Sequence, residues 1–278
     1  MHPRIFLISL VLAAPLGAQL APVSLPGLTV NSPRVANQSP TGTFATPVSR
    51  LRFEPQVDVE ARNLTEAQAD VTIRGGIFEN TGFRIGAVSV IDPQTGHYYA
   101  DLPIAPAMLS TPQILTGADH ALATSASTVG AISYGWRPIQ TAGTAAVAAG
   151  ENSLDREEFY QGYASDAPVF GQRLAADVAW ARSASDGTIP FGDSHFDRVN
   201  ARVQLAGSAS QTDVFVGYQA KFFGWPNLYT PFNADESENL QALLVAANHR
   251  IDWGGGDFLE AGVYHRRNKD DYAFNRFA

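Results

Sequence analysis

The chain contains no cysteine among its 278 residues, which excludes a disulfide framework and thiolate metal centres. Charge is also sparse. Charged residues make up 17% of the chain and the net charge is −8, a balance that argues against nucleic acid as a partner. Long apolar runs are missing as well: beyond the first residues nothing approaches the roughly 18 uncharged apolar residues of a membrane helix. No Walker loop, G-x-G-x-x-G, H-E-x-x-H or nucleophile elbow occurs. The histidines (His2, His97, His120, His195, His249 and His265) form no i, i+4 pair, which leaves little basis for a metal site. The paired acids Glu157-Glu158 and Asp270-Asp271 read as solvated charges. The expectation is a non-enzyme with no metal and no cofactor.

The chain is instead rich in glycine (24 residues) and aromatics (10%), which suits a turn-rich β protein. Residues 1–18 read as a signal peptide: His2 and Arg4, an apolar run from Ile5 to about Leu16, then Gly17-Ala18 as the small residues at a cleavage site. Residues 19–50, punctuated by Pro22, Pro26, Pro33, Pro40 and Pro47, read as a flexible arm.

Residues 51–138 read as a small mixed domain. Val57 to Ala61 alternates with period two, and residues 65–70 could make a helical turn. Val71-Thr72-Ile73, a run from Ile85 to Val90, Ile114-Leu115 and Ala131 to Tyr134 read as strands, bounded by Gly75-Gly76 and Asp92-Pro93. From 139 to 278 the pattern changes to longer segments. Leu174, Ala176, Val178 and Trp180 alternate with Ala175, Asp177, Ala179 and Ala181. Val199, Ala201, Val203 and Leu205 alternate with Asn200, Arg202, Gln204 and Ala206. Val214, Val216, Tyr218 and Ala220 face away from Asp213, Gly217, Gln219 and Lys221. Weaker segments near residues 143–150, 156–165, 240–250 and 258–267 bring the number to about seven strands. Such a dyad repeat fits transmembrane strands with a lipid face and a polar lumen face. A soluble antiparallel sandwich alternates too, although its strands are usually shorter. Trp180, Phe222, Phe223, Trp225 and Tyr229, near strand ends, suit an interfacial girdle.

The order of these regions, and three motifs within them, resemble the TonB-dependent outer-membrane receptors, in a cobalamin- and siderophore-receptor-like branch. Ala69-Asp70-Val71-Thr72-Ile73-Arg74-Gly75-Gly76 resembles that family's plug motif. Asp92-Pro93-Gln94-Thr95-Gly96-His97 with Asp101-Leu102-Pro103 resembles its DPQTGH…DLP loop. Gly130-Ala131-Ile132-Ser133 is similar to its closing plug strand. Ile85-Gly86-Ala87 replaces the usual Leu-Asp-Gly, and Thr116 stands where a second latch arginine is usual.

The resemblance implies an α+β plug domain at 51–138, followed by antiparallel transmembrane barrel strands: the N-terminal portion of a presumed barrel of about 22 strands. It implies a receptor that binds a scarce nutrient (an iron–siderophore, cobalamin or similar) and imports it, located in the bacterial outer membrane and in contact with its lipid. Leu28, Thr29, Val30, Asn31 and Ser32 resemble a TonB box, which implies the energy-transducing TonB protein as partner at the arm. Gln94, Thr95, His97, Tyr98 and Tyr99 would form the ligand-facing loop, while Arg74, Gly75, Gly76 and Gly130 would be structural, Arg74 as an ionic strut. The competing expectation is a secreted or surface adhesin, or carbohydrate-binding β protein, without transport activity.

Overall fold

A computed structural model describes residues 46–62, 68–92, 94–169 and 171–278. The expected signal peptide, the TonB-box segment and most of the arm lie outside these residues. The arm was expected to reach residue 50, but Thr46 to Leu51 is already packed. Pro47–Leu51 forms a 3-10 turn whose every residue is buried. Val48 and Leu51 enter the core, and Arg50 donates to the carbonyls of Pro106, Leu109 and Ser110.

The N-terminal domain contains β1 (Val57–Arg62), β2 (Gln68–Ile73), β3 (Thr81–Ile85), β4 (Val88–Val90), β5 (Gln113–Leu115) and β6 (Gly130–Tyr134). β1 and β2 pair antiparallel, and the others form a sheet ordered β4-β3-β6-β5 in which β3 and β6 run parallel. Two expectations are corrected here. Gln68 to Asp70 belong to β2 rather than to a helical turn. The run from Ile85 to Val90 is the end of one strand and the whole of another, because Gly86, at φ +54°, turns the chain between them. The α+β expectation fails for the described residues. They contain 3-10 turns but no α-helix, because proline and glycine cut the connecting segments too short for one.

The second part is a single meander of seven antiparallel strands: β7 (Ala142–Ala149), β8 (Asp155–Ala164), β9 (Arg173–Ser185), β10 (Ser194–Ala206), β11 (Ser210–Pro226), β12 (Asp235–Gly254) and β13 (Asp257–Ala273). Each alternating segment of the sequence falls in one of these strands. The loops at 186–193 and 227–234 share one end of the sheet, here called apical, and the turns at 207–209 and 255–256 share the other.

The sheet is inside out by the standard of a soluble protein. Val178, Val199, Val203, Val214, Val216 and Val245 are exposed, whereas Arg202, Gln204, Asp213, Gln219 and Glu238 are almost wholly buried. The buried polar face is covered by the N-terminal domain. One core cluster joins Leu51, Ile73, Phe83, Leu102 and Met108 of that domain to Ala179, Phe215, Leu244 and Ala246 of the sheet. On β12 the outward residues run from Leu243 through Val245, Ala247 and Ile251 to Trp253. His249 interrupts them, hydrogen-bonded to Thr212 on the neighbouring strand at 2.7 Å. The ten steps from Leu243 to Trp253, at about 3.4 Å each, cover about 34 Å of strand. At a tilt of about 40° that becomes a band of roughly 26 Å, close to the apolar height of an outer-membrane barrel.

Candidate functional site

The apical loop of the N-terminal domain begins at Asp92, whose carboxylate accepts from the backbone N–H groups of Gln94 (2.8 Å) and Thr95 (3.3 Å). This Asx-type cap bends the chain outward and presents Gln94 to solvent. Thr95 Oγ1 then accepts from the His97 N–H. The His97 ring is half-buried and fixed on three sides. Nδ1 lies 2.9 Å from the Asp70 carboxylate, Phe78 stacks on one face at 4.3 Å, and Tyr229 approaches at 6.1 Å. Gln68 ties the strand below to the loop, donating to Asp70 (2.8 Å) and to the His97 carbonyl (3.0 Å).

The five expected ligand residues therefore divide. Gln94, Thr95 and His97 reach the apical surface. Tyr98 does not: it is buried, and its hydroxyl donates to Glu238 of β12 at 2.5 Å. Burial, reinforced by that carboxylate, pushes the Tyr98 hydroxyl well above the ordinary tyrosine range, so it stays a donor. Tyr99 packs against the core cluster.

Tyr229 was expected in an interfacial girdle; it instead turns inward and donates its hydroxyl to the second oxygen of Glu238. Phe223, also expected there, is fully buried against Leu228. Tyr272 meets Tyr229 edge-on at 5.5 Å, and Phe232 lies exposed nearby on the same loop. The apical surface thus combines an amide, a hydroxyl, an imidazole and several aromatic faces.

Beneath that surface, polar side chains of the sheet sew the N-terminal domain in place. Asp101 accepts from Gln219 (2.6 Å) and pairs with Lys221. Asn200 grips the backbone on both sides, donating to the Pro103 carbonyl (2.7 Å) and accepting from the Ala105 N–H (2.9 Å). Arg266 donates to the carbonyls of Tyr98 and Asp101, and Asn268 to the Asp92 carboxylate. The Asp101-Leu102-Pro103 motif is therefore a docking staple. Its close approach needs Gly217, where a Cβ would collide with the Pro103 carbonyl.

Arg74 is corrected. It is exposed, at φ +52°, and donates to Gln56 at 2.9 and 3.1 Å, with no carboxylate partner among the described residues. From the N-terminal domain, Arg84 does bridge to the sheet, 3.1 Å from Glu260 on β13. Gly75 occupies the left-handed turn beside Arg74 at φ +73°. Gly76 and Gly130 allow close packing, since a Cβ would press on Val129 and on Ile73 respectively. Near Arg84, at the end opposite the His97 loop, a cavity of about 440 Å³ lies along the seam, lined by Trp136, Gln211, Asn248, Arg250 and Glu260 among others.

Sequence reasoning did not single out Asp70, Arg84, Asp101, Glu238, Glu260 or Arg266 as partners. The inward phase of the alternation marks the sheet members of that set, but nothing local marks whom they meet.

No protein-family model matches the chain, and no curated protein matches it in sequence. Solved structures do. The ferric yersiniabactin uptake receptor of Yersinia pestis superposes with a TM-score of 0.61 at 12% identity, over 83% of this chain and 39% of the receptor. A ferric citrate transporter in its unliganded form gives 0.63 at 12% identity, over 88% and 40%. The alcaligin outer-membrane receptor of Bordetella pertussis gives 0.57 at 14%, over 82% and 37%. The chain therefore has the TonB-dependent receptor fold, and it spans about 40% of the length of these structures.

Proposed function

We propose that this chain belongs to a TonB-dependent outer-membrane receptor that binds a scarce nutrient and admits it to the periplasm. The seven strands are then a sector of barrel wall, and the N-terminal domain is the plug. The observation that carries this reading is the inverted sheet: an exposed apolar band of membrane height, backed by a buried polar face hydrogen-bonded to a domain that would fill the lumen. A soluble adhesin of sandwich type would bury the valine face and expose the charges. Among the described residues β7 and β13 are each paired on one side only, and a bilayer requires both edges to be satisfied by further strands.

The ligand surface in this reading is the apical group of Gln94, Thr95 and His97 with Tyr229 and Tyr272, while Tyr98 and Tyr99 support it from below. Hydrogen-bonding groups beside aromatic faces suit a large polar ligand. The ferric yersiniabactin and ferric citrate named for two neighbours favour an iron chelate over cobalamin. The arm would carry the TonB box at Leu28, Thr29, Val30, Asn31 and Ser32, captured by strand addition. Pulled from there, the plug would shift along its polar seam, and the cavity beside Arg84 and Glu260 lies where an exit path would open.

Two measurements test the proposal. The chain should be recovered from detergent-extracted outer membranes; a folded, soluble product in the periplasm or medium would refute it. Deleting residues 28–32 in the receptor should abolish energised uptake and leave ligand binding intact, and undiminished uptake would refute the assigned box.

A further inference from the structure

The cross-strand register rules the outward face of the sheet into rows. One row runs Phe159, Trp180, Val199, Tyr218, Leu243 and Arg267. The next lies about 7 Å nearer the apical loops. It sets Arg182 between Glu157 and Asp197, and it continues through Ala220 and Gln241 to Lys269. The first row is where aromatics border the apolar band, the position such residues take at a membrane interface.

The cations of these two rows are not equivalent. Arg182 faces a carboxylate on each neighbouring strand. Arg267 stands opposite Leu243 and Lys269 opposite Gln241, so neither has a carboxylate directly across from it. Asp271 follows on the same outward face, opposite Asn239. Between β11 and β13 the surface forms a cleft of about 190 Å³ lined by Tyr218, Gln241, Leu243, Arg267 and Lys269. It holds two cations, a phenol and an amide, with an apolar floor leading to Val216 and Val245.

We infer that this cleft binds the phosphate of a membrane-lipid headgroup. The inference rests on the reading of this face as lipid-exposed. Arg267 supplies a planar fork for two phosphate oxygens and Lys269 a point charge beside it. Tyr218 and Gln241 can donate further hydrogen bonds, and the valines below accept the acyl chains. A cation facing lipid is unfavourable at the bilayer midplane and tolerated near the interface, where a phosphate is the anion within reach. The arrangement would give the wall a fixed lipid partner at the apical headgroup level.

The test uses the full chain extracted from membranes in mild detergent, with short-chain phosphatidic acid as probe and retention read by native mass spectrometry. R267Q/K269Q should weaken retention about 25-fold, the product of two roughly fivefold terms for a charge at a membrane surface. The charge-preserving R267K/K269R should restore it, and R182Q, whose cation stands across from Glu157 and Asp197 on the neighbouring strands, should match the wild type. Equal retention by R267Q/K269Q and wild type would overturn the assignment, as it would if another strand already neutralised these cations. Binding of inorganic phosphate as tightly as phosphatidic acid would overturn it in favour of a soluble anion. Recovery of the chain as a soluble protein would instead sink the membrane reading, and this inference with it.

Discussion

Arg202→Met should destabilise the chain by about 3–5 kcal/mol, the cost of breaking a buried ion pair from one side. Arg202 is 1% exposed in its side chain and Asp177 and Asp213 are 0%. Its guanidinium donates to Asp177 at 2.7 and 3.1 Å and to Asp213 at 3.3 Å, and it lies 5.3 Å from the centre of the Trp136 ring. Methionine fills similar space but leaves two carboxylates in a site without a cation. Some support remains, because Tyr160 still donates to Asp177 at 3.1 Å and Gln204 and Gln211 to Asp213 at 2.7 Å. The expected cost therefore lies toward the lower end, about 3 kcal/mol. The triple variant R202M/D177N/D213N removes the stranded charges and should recover to within about 1 kcal/mol of wild type. Urea titration of the chain refolded into lipid vesicles, followed by tryptophan fluorescence, measures both. A cost for R202M below about 1 kcal/mol, or a triple variant no more stable than the single, would refute the view that this network is a dry core held by its central cation.

Two further outcomes follow from the docking seam and the apical loops. Gly217→Ala inserts a Cβ against the Pro103 carbonyl and within 2.5 Å of the Asn200 amide, so the N-terminal domain must shift from the sheet. Proteolysis between residues 51 and 138 should accelerate, and an unchanged digestion pattern would contradict the proposed staple. Asp193, in the loop at 186–193, is hydrogen-bonded by both Arg276 guanidinium nitrogens, which hold its carboxyl below the ordinary range against an opposing effect of partial burial. Because its folded value is depressed, the stabilisation is complete above the unfolded carboxylate value of about 3.9 and is lost as pH falls through the folded one. Asp193→Asn should therefore lower stability at neutral pH and flatten the acid limb; an acid limb unchanged from wild type would contradict the assignment.

The strand pattern was readable because a period of two survives only where one face is kept apolar and the other polar. Leu174 to Trp180, Val199 to Leu205 and Val214 to Ala220 announced their outward side chains without any knowledge of partners. Pairing across long sequence distance was not readable. Tyr98 and Glu238 meet only because β12 takes one register against β11, and no local rule links positions so far apart. Arg74 drew attention through its motif, but the left-handed turn with Gly75 carries it to solvent, and Arg84 is the arginine that points at the sheet. The α+β expectation failed because the connecting segments of the N-terminal domain were broken by Pro106, Pro112 and Gly117 into pieces too short for a helix. Tyr229 was misread because an aromatic near a strand end can face lipid or lumen, and the loop at 227–234 turns this one inward.

The orientation of the sheet is the claim on which the rest depends, and the absence of cysteine makes it directly measurable. A single cysteine at Val203, spin-labelled in the chain reconstituted into lipid bilayers, should collide with oxygen dissolved in the hydrocarbon and be shielded from a water-soluble nickel relaxant. A Val203 label freely reached by the nickel reagent and no better reached by oxygen would contradict the account, because it would place the exposed valine face in water.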